Sequence, residues 1–277
     1  MNKDGYEALA LNQISSASLY GWCPMSQNGS VARKEDPPQG DGLLDLTTRA
    51  YGVAISAAHS AADLVLGASS ALARIVANER ELDELDREFD ERVAEELAHS
   101  SVEQVREKLA CLKCMIDLER IGDLLLSFAT RAETVHSRLD MRDLRDLGDM
   151  LSVLAKMLAD TQTAFSGRDH ALALQVLRAD REVDRLHNLV VMRHLEPEMT
   201  FGGPDSIHVI TMAQAIERAA DHVKNTAEEV CHMVSGHTVR HLLRMQEKSS
   251  EQLYPGASAS PTPHRQDPKR IVNLANC

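Results

Sequence analysis

The sequence predicts an all-α protein built as two tandem, homologous three-helix bundles flanked by disordered tails. Three features lead there. Proline is absent from residues 39–196, and that stretch shows little of the apolar–polar alternation of half-buried strands. Aromatic residues make up only 3% of the chain, while hydrophobic residues, mostly Leu, Ala, Val and Ile, make up 43%. That composition suits Ala/Leu-packed helices and argues against a β-sandwich or barrel. Finally, the helical pattern starts again after about 100 residues, a period longer than that of solenoid units.

In chain order, residues 1–41 read as a tail, because GWCPMSQNGSVARKEDPPQGDG is rich in Gly, Pro, Ser and charge without period; residues 6–19 could form a short helix. A first helix is expected from Leu43 to Leu66, with Gly67 as its stop, a second from Ser70 to Ala98, and a third from Ser101 to Leu139 with Gly122 tolerated inside it. LRDLGDMLSVLAKMLADTQTAF gives a fourth, stopped at Ser166-Gly167. The fifth begins after Asp169, a suitable N-cap, and ends before Pro197. The sixth has Asp205 or Ser206 as its N-cap and runs to Ser235, with Gly236 as the C-terminal signal. Domain boundaries follow: a bundle over residues 42–139, a second over 140–247, and a Pro/Ser-rich tail over 248–277.

The formal net charge of −12 leaves no basic footprint for nucleic acid. It fits a cation binder or a protein that docks on basic surfaces. Asp4 and Glu7 stand where a secretion signal would be basic, and no run of about 18 apolar residues occurs. A cytoplasmic protein without membrane insertion is expected. Five scattered cysteines make no disulfide framework. Cys111-Leu-Lys-Cys114 is a CxxC inside a helical pattern, read as plain buried thiols.

The repeat carries acidic pairs spaced four residues apart, which stack along one stripe of a helix. On the middle helices they are Glu79/Asp83 and Asp180/Asp184; on the third helices they are Glu119/Asp123 and Glu217/Asp221, with Asn225 extending the last stripe. A single such pair costs a few tenths of a kcal/mol of repulsion and usually belongs to a solvated face. Repetition on two helices of both bundles suggests instead that four carboxylates converge in each, a costly arrangement without a cation. Oxygen ligands of this kind suit hard cations such as Mg²⁺, Mn²⁺, Fe or Ca²⁺. Arg120 and Arg218 could neutralise the stripes in their place. His222 lies beside Asp221 but points away from the stripe.

Two segments, Glu119-Arg120-Ile121-Gly122-Asp123 and Glu217-Arg218-Ala219-Ala220-Asp221-His222-Val223-Lys224-Asn225, resemble the repeated signature helix of the PhoU family. CHMVSGHTVRH (231–241) is similar to the segment that closes that family's second repeat. The resemblance spans roughly residues 43–245. It implies two pseudo-symmetric three-helix bundles, a homodimer, and metal ions (Fe, Mn, Mg or Zn) held by Glu79, Asp83, Glu119, Asp123, Asp180, Asp184, Glu217, Asp221 and Asn225. It implies no catalysis. It implies an adaptor between the ATPase subunit of a phosphate ABC transporter and a membrane sensor histidine kinase, damping uptake and the phosphate-starvation response when phosphate is plentiful. The chain departs from the family pattern at Ser127, where the first stripe lacks Asn or Asp, and at Ala219-Ala220, where Ile-Gly is usual.

Two other readings stand beside this one. A metal-free interaction bundle would use the acidic stripes to dock basic partners. A di-iron carboxylate enzyme would need matched Glu-x-x-His motifs; Glu133-x-x-His136 and Glu229-x-x-His232 exist, but their helical phases relative to Glu119 and Glu217 do not match. No nucleophile–base spacing, phosphate-cradling glycine loop, dinucleotide fingerprint or zinc spacing is present.

Overall fold

Helix termini are set by local chemistry that the sequence shows plainly. In a computed structural model of the chain, residues 42–195 and 204–236 are described, and they form six α-helices: α1 (Leu43–Val65), α2 (Ala71–Ala98), α3 (Val102–Val135), α4 (Met141–Gly167), α5 (His170–Leu195) and α6 (Pro204–Ser235). The expectations for residues 1–41, 237–247 and 248–277 lie outside the described residues.

α1 ends in a Schellman motif: Gly67 takes φ +88, the Ala68 amide donates to the Asp63 carbonyl, and the Gly67 amide donates to that of Leu64. α3 opens with a reciprocal capping box, the Ser101 amide donating to Gln104 Oε1 (2.9 Å) and the Gln104 amide to Ser101 Oγ. It stops earlier than expected, at Val135, and a turn of 3-10 helix, His136–Arg138, leads on. Asp140 then caps α4 by accepting from the amides of Arg142 and Asp143, so this helix starts at Met141, before the apolar run that suggested it. At its other end the left-handed residue is Arg168 (φ +52), one position after the glycine that marks the stop in the sequence. The same Schellman bonds form there (Asp169 amide to Ala164 carbonyl, Arg168 amide to Phe165 carbonyl), and Glu107 of α3 holds the Arg168 side chain at 2.5 Å. Asp169 caps α5 as expected, through the Leu172 amide at 3.0 Å. α6 starts at Pro204, ahead of Asp205 and Ser206; proline fits a first helical position because its missing N–H would have no intrahelical partner. Gly236 at φ +71 ends it.

The helices pack as two triplets, α1–α2–α3 and α4–α5–α6, joined through α1 against α4 and α3 against α6. α1, α3, α4 and α6 therefore form the centre, with α2 on the first pair and α5 on the second. The buried stripes are dominated by Ala, Leu and Met: Ala50, Ala54, Ala57, Ala58 and Ala61 on α1, Met115, Leu118 and Leu125 on α3, Leu151, Leu154 and Leu158 on α4, and Ala213, Ala219, Ala220 and Ala227 on α6. Small residues let these helices approach closely. Tyr51 of α1 and Phe165 of α4 are fully buried with ring centroids 5.5 Å apart, a tilted pair adding about 1 kcal/mol to its area burial. Gly122 shows how tightly α2 meets α3: a Cβ there would stand 2.6 Å from Leu82 Cδ1.

One end of the second triplet is tied by a buried polar network. Arg193 of α5 donates to Asp143 (2.5 Å) and to Asp146 of α4. His194 Nε2 lies 2.9 Å from Asp143 and its Nδ1 3.1 Å from the Ser206 hydroxyl of α6. Asp143, with a side chain only 5% exposed, depends on these partners. Removing one member of a buried pair strands a charge, so Arg193→Met is expected to cost about 3–5 kcal/mol in denaturant unfolding. Arg74→Met, which breaks the exposed Arg74–Asp63 pair, is expected to cost well under about 1 kcal/mol.

Candidate functional site: two acidic seams

In each triplet the two acid-bearing helices pack together, and carboxylates on one act electrostatically on carboxylates on the other. In the first triplet the stripe of α2 faces that of α3. Glu79 and Glu119 are half-buried, Asp83 and Asp123 exposed. Burial, then the neighbouring charges of Asp83 and Asp123, push the Glu79 carboxyl above its ordinary value. Burial, then Asp123, with Asp86 and Asp83 from across the seam, do the same to Glu119. Asp86 is a fifth acid that the i,i+4 search missed, although it lies seven residues past Glu79 and so on the same face. It too is pushed up, by burial and then by Asp90 and Asp83, with Arg120 opposing. Two cations stand near: Arg80 opposes the rise at Glu79, and Arg120 stands 3.4 Å from Glu119 and donates to Asp123 at 3.2 Å, with its side chain 58% exposed.

In the second triplet, α5 faces α6 in the same way. Asp184 is raised by burial and then by Asp180, with Asp221 adding; Glu217 is raised by burial and then by Asp221, Asp184 and Asp180. Gln214 donates to Glu217 Oε2 at 2.6 Å. Asp180 differs from its companions because its side chain is only 3% exposed, and Lys224 donates to its Oδ2 at 2.5 Å. Asn225 is half-buried one turn beyond the exposed Asp221. The eight expected carboxylates thus fall into two groups, one between α2 and α3 and one between α5 and α6, with Asn225 on α6 one turn past Asp221.

Carboxylate and amide oxygens are the right chemistry for a hard cation. As the side chains stand, however, no three His, Cys, Asp or Glu among the described residues form a group that could hold one ion. Arg120 pairs with Glu119 and Asp123, and Lys224 with Asp180, so each group already holds a cation.

Other residues singled out by the sequence have structural partners. His222 Nδ1 donates to Asp117 Oδ1 of α3 at 2.7 Å, and Lys113 of α3 donates to Glu229 of α6 at 2.9 Å. Both pairs fasten α3 to α6. Glu229 is thereby committed to that seam, whereas Glu133 is exposed, so the two Glu-x-x-His motifs do not occupy equivalent places. Sequence reasoning missed Lys113 and Asp117 because their partners lie over 100 residues away. Cys111, Cys114 and Cys231 are buried and free. Burial pushes Cys111 up to about 12 and Cys231 to about 11, and lifts Cys114 as well. Such thiols are not nucleophiles at neutral pH.

The PhoU domain matches twice, over residues 47–132 and 147–230. The chain is 31% identical over 204 residues to the phosphate-specific transport system accessory protein PhoU homolog of Pseudomonas aeruginosa, covering 69% of this chain and 82% of that protein. It is 29% identical over 185 residues to PhoU homolog 1 of Thermotoga maritima, covering 64% and 79% of the two chains. The crystal structure of PhoU from Pseudomonas aeruginosa superposes with a TM-score of 0.62 at 25% identity, covering 70% of this chain and 96% of that one. The PhoU structure from Streptococcus pneumoniae shares the fold, with a TM-score of 0.63 at 19% identity over 71% and 95% of the two chains.

Two outcomes follow from this geometry. A carboxyl raised in the folded state keeps its proton where the unfolded chain has lost it, so stability is greatest below the ordinary carboxylate value and is lost as pH rises through the raised one. With chelator present, the melting temperature is expected to fall as pH rises through the window just above the ordinary carboxylate range. Glu119→Gln and Glu217→Gln should each flatten that slope and raise the pH 7 melting temperature by about 1–2 °C. In native alkylation at pH 8 read by peptide mass spectrometry, Cys111, Cys114 and Cys231 should stay unmodified until denaturant is added.

Proposed function

Because the chain belongs to the PhoU family, we propose that it is a non-enzymatic, cytoplasmic regulator of phosphate homeostasis. It restrains a high-affinity phosphate ABC transporter through the ATPase subunit and holds the phosphate-starvation two-component response off through a membrane sensor histidine kinase. The observation that carries this reading is the pair of PhoU domains in one chain, each with its acidic helices face to face. Relatives named as accessory proteins of the phosphate-specific transport system support it. No described helix is long and apolar enough to cross a membrane, in keeping with a protein that reaches the membrane through partners.

The working form in this reading is a homodimer. Fe, Mn, Mg or Zn is held by Glu79, Asp83, Glu119 and Asp123 in the first seam and by Asp180, Asp184, Glu217, Asp221 and Asn225 in the second. A bound cation would neutralise the stripes and pin α2 to α3 and α5 to α6, fixing the surface offered to partners. A second reading, a metal-free interaction bundle, is favoured by Arg120 and Lys224, which already supply positive charge to both seams. In either reading the net charge of −12 argues against nucleic acid as a partner.

The test is phosphate uptake and starvation-reporter output in phosphate-replete cells lacking the gene, complemented with wild type or with Asp123→Ala/Asp221→Ala. Loss of the gene is expected to leave uptake high and the reporter on. The double variant should fail to restore repression if the acidic stripes act, whether through cations or by docking partners directly, and the metal content of the untagged purified chain separates those two readings. Unchanged uptake and reporter output on loss of the gene, with no sister protein masking the effect, would sink the regulator.

A further inference from the structure

The α3–α6 seam is fastened at three levels. Lys113 meets Glu229 at 2.9 Å, Asp117 meets His222 at 2.7 Å, and Arg138, just past the end of α3, meets Asp205 at 3.0 Å. These pairs show the two helices running antiparallel, in contact from one end to the other. Between the last two levels lie Arg131 of α3 and His208 of α6. The Asp117–His222 contact sets their register: 14 residues forward on α3 and 14 back on α6, nearly four helical turns, bring Arg131 level with His208.

The internal repeat gives the same placement by a second route. Lys113 stands six residues before Glu119, and Thr211 six before Glu217; Glu229 stands 12 after Glu217, and Arg131 12 after Glu119. The Lys113–Glu229 ion pair therefore has a pseudo-symmetric mate, Thr211 against Arg131, with His208 one turn before Thr211 on the same face of α6. In the mate the cation has no carboxylate. The Thr211 hydroxyl donates to the Ile207 carbonyl at 2.7 Å, and Asp205 is held by Arg138. Glu133 is exposed and, two residues on, faces another side of α3. Arg131 Nε and His208 Nδ1 are both buried, and neither has a hydrogen-bond partner. Buried polar atoms are nearly always paired, so two orphans at one level of one seam call for a shared acceptor.

We infer that Arg131 and His208 form an anion site in the α3–α6 seam, for a small oxyanion of the phosphate or sulfate class. Such an anion accepts from the Arg131 Nε–H and from a proton on His208 Nδ1, and its charge matches the guanidinium. The two donors stand on opposite helices, which suits an anion whose oxygens point apart; a planar carboxylate fits two N–H groups of one guanidinium better. Bound there, the anion ties α3 to α6 at the level where the repeat supplies no ion pair. The site shares no residue with the acidic stripes and needs no metal.

The experiment uses the full chain, treated with chelator and dialysed into chloride at pH 7. Sodium phosphate, sulfate or acetate is added at constant ionic strength while calorimetric heat and melting temperature are followed. Phosphate and sulfate are expected to bind and to raise the melting temperature, and acetate to do neither. Arg131→Met and His208→Gln should each bind phosphate at least about tenfold more weakly, the loss of one charge-assisted hydrogen bond. Arg138→Met, which removes a neighbouring charge outside the site, should keep wild-type affinity. The His208 ring nitrogen signal, identified by its absence from His208→Gln, should move as phosphate is added. If Arg131→Met does not fold, His208→Gln and that signal decide. A wild-type chain that phosphate neither binds nor stabilises overturns the inference, as does phosphate affinity unchanged in Arg131→Met and His208→Gln, or acetate acting as strongly as phosphate. The uptake and reporter phenotype stands or falls by itself in every case.

Discussion

The fold depends on α3 and α6 each serving two neighbours at once. One stripe of each helix is apolar and buried in the core, with Cys114, Leu118 and Ile121 on α3 and Ala219, Ala220 and Val223 on α6 fully buried, and α3 packs against α6. The adjacent stripe must present carboxylates to α2 or α5. A helix has one rotation, so both demands fix the same angle. Turning α3 to spread its acids would bring its charges toward the core, where an unpaired ion is far more costly than a few tenths of a kcal/mol of surface repulsion. The Asp117–His222 and Lys113–Glu229 pairs lie along the α3–α6 seam and resist that rotation from the other side.

Charge is handled in two ways in this molecule. At the end of the second triplet, buried Asp143 is paired with Arg193 and His194, and the network is closed by a Ser206 hydroxyl. In the acidic seams the carboxylates are only half satisfied, and Glu79, Glu119, Asp184 and Glu217 are all raised by burial followed by their acidic neighbours. A fold that needed these groups only as solvated surface could spread them out. Holding them together leaves mutual repulsion that burial strengthens.

Pseudo-symmetry makes the departures from it informative. Gly122 and Ala220 are matching positions, and Gly122 exists where α2 comes close enough for Leu82 to occupy the Cβ position. Glu79 and Asp180 match in sequence, but one is half-buried and the other is closed over by a lysine. The two copies share matching helices, while the differences between Glu79 and Asp180 and between Leu126 and Lys224 give them different electrostatic character.

The sequence by itself determined the helical class, the six-helix count among the described residues, the internal duplication and the acidic stripes, because these depend on local chemistry: helical spacing, capping groups, glycine stops and the absence of proline. Boundaries at Met141, Arg168 and Pro204 departed from expectation because caps such as Asp140 and the Arg168–Glu107 pair operate beyond the apolar run that announces a helix. Asp86 and Lys224 were legible in principle, since both continue a stripe by seven residues. Which stripes face each other, which carboxylate is buried, and which lysine closes over it were decided only by tertiary structure. Those outcomes depend on the relative rotation and depth of helices far apart in the chain, a rotation that the packing of Ala, Leu and Met stripes sets and no local window of sequence contains.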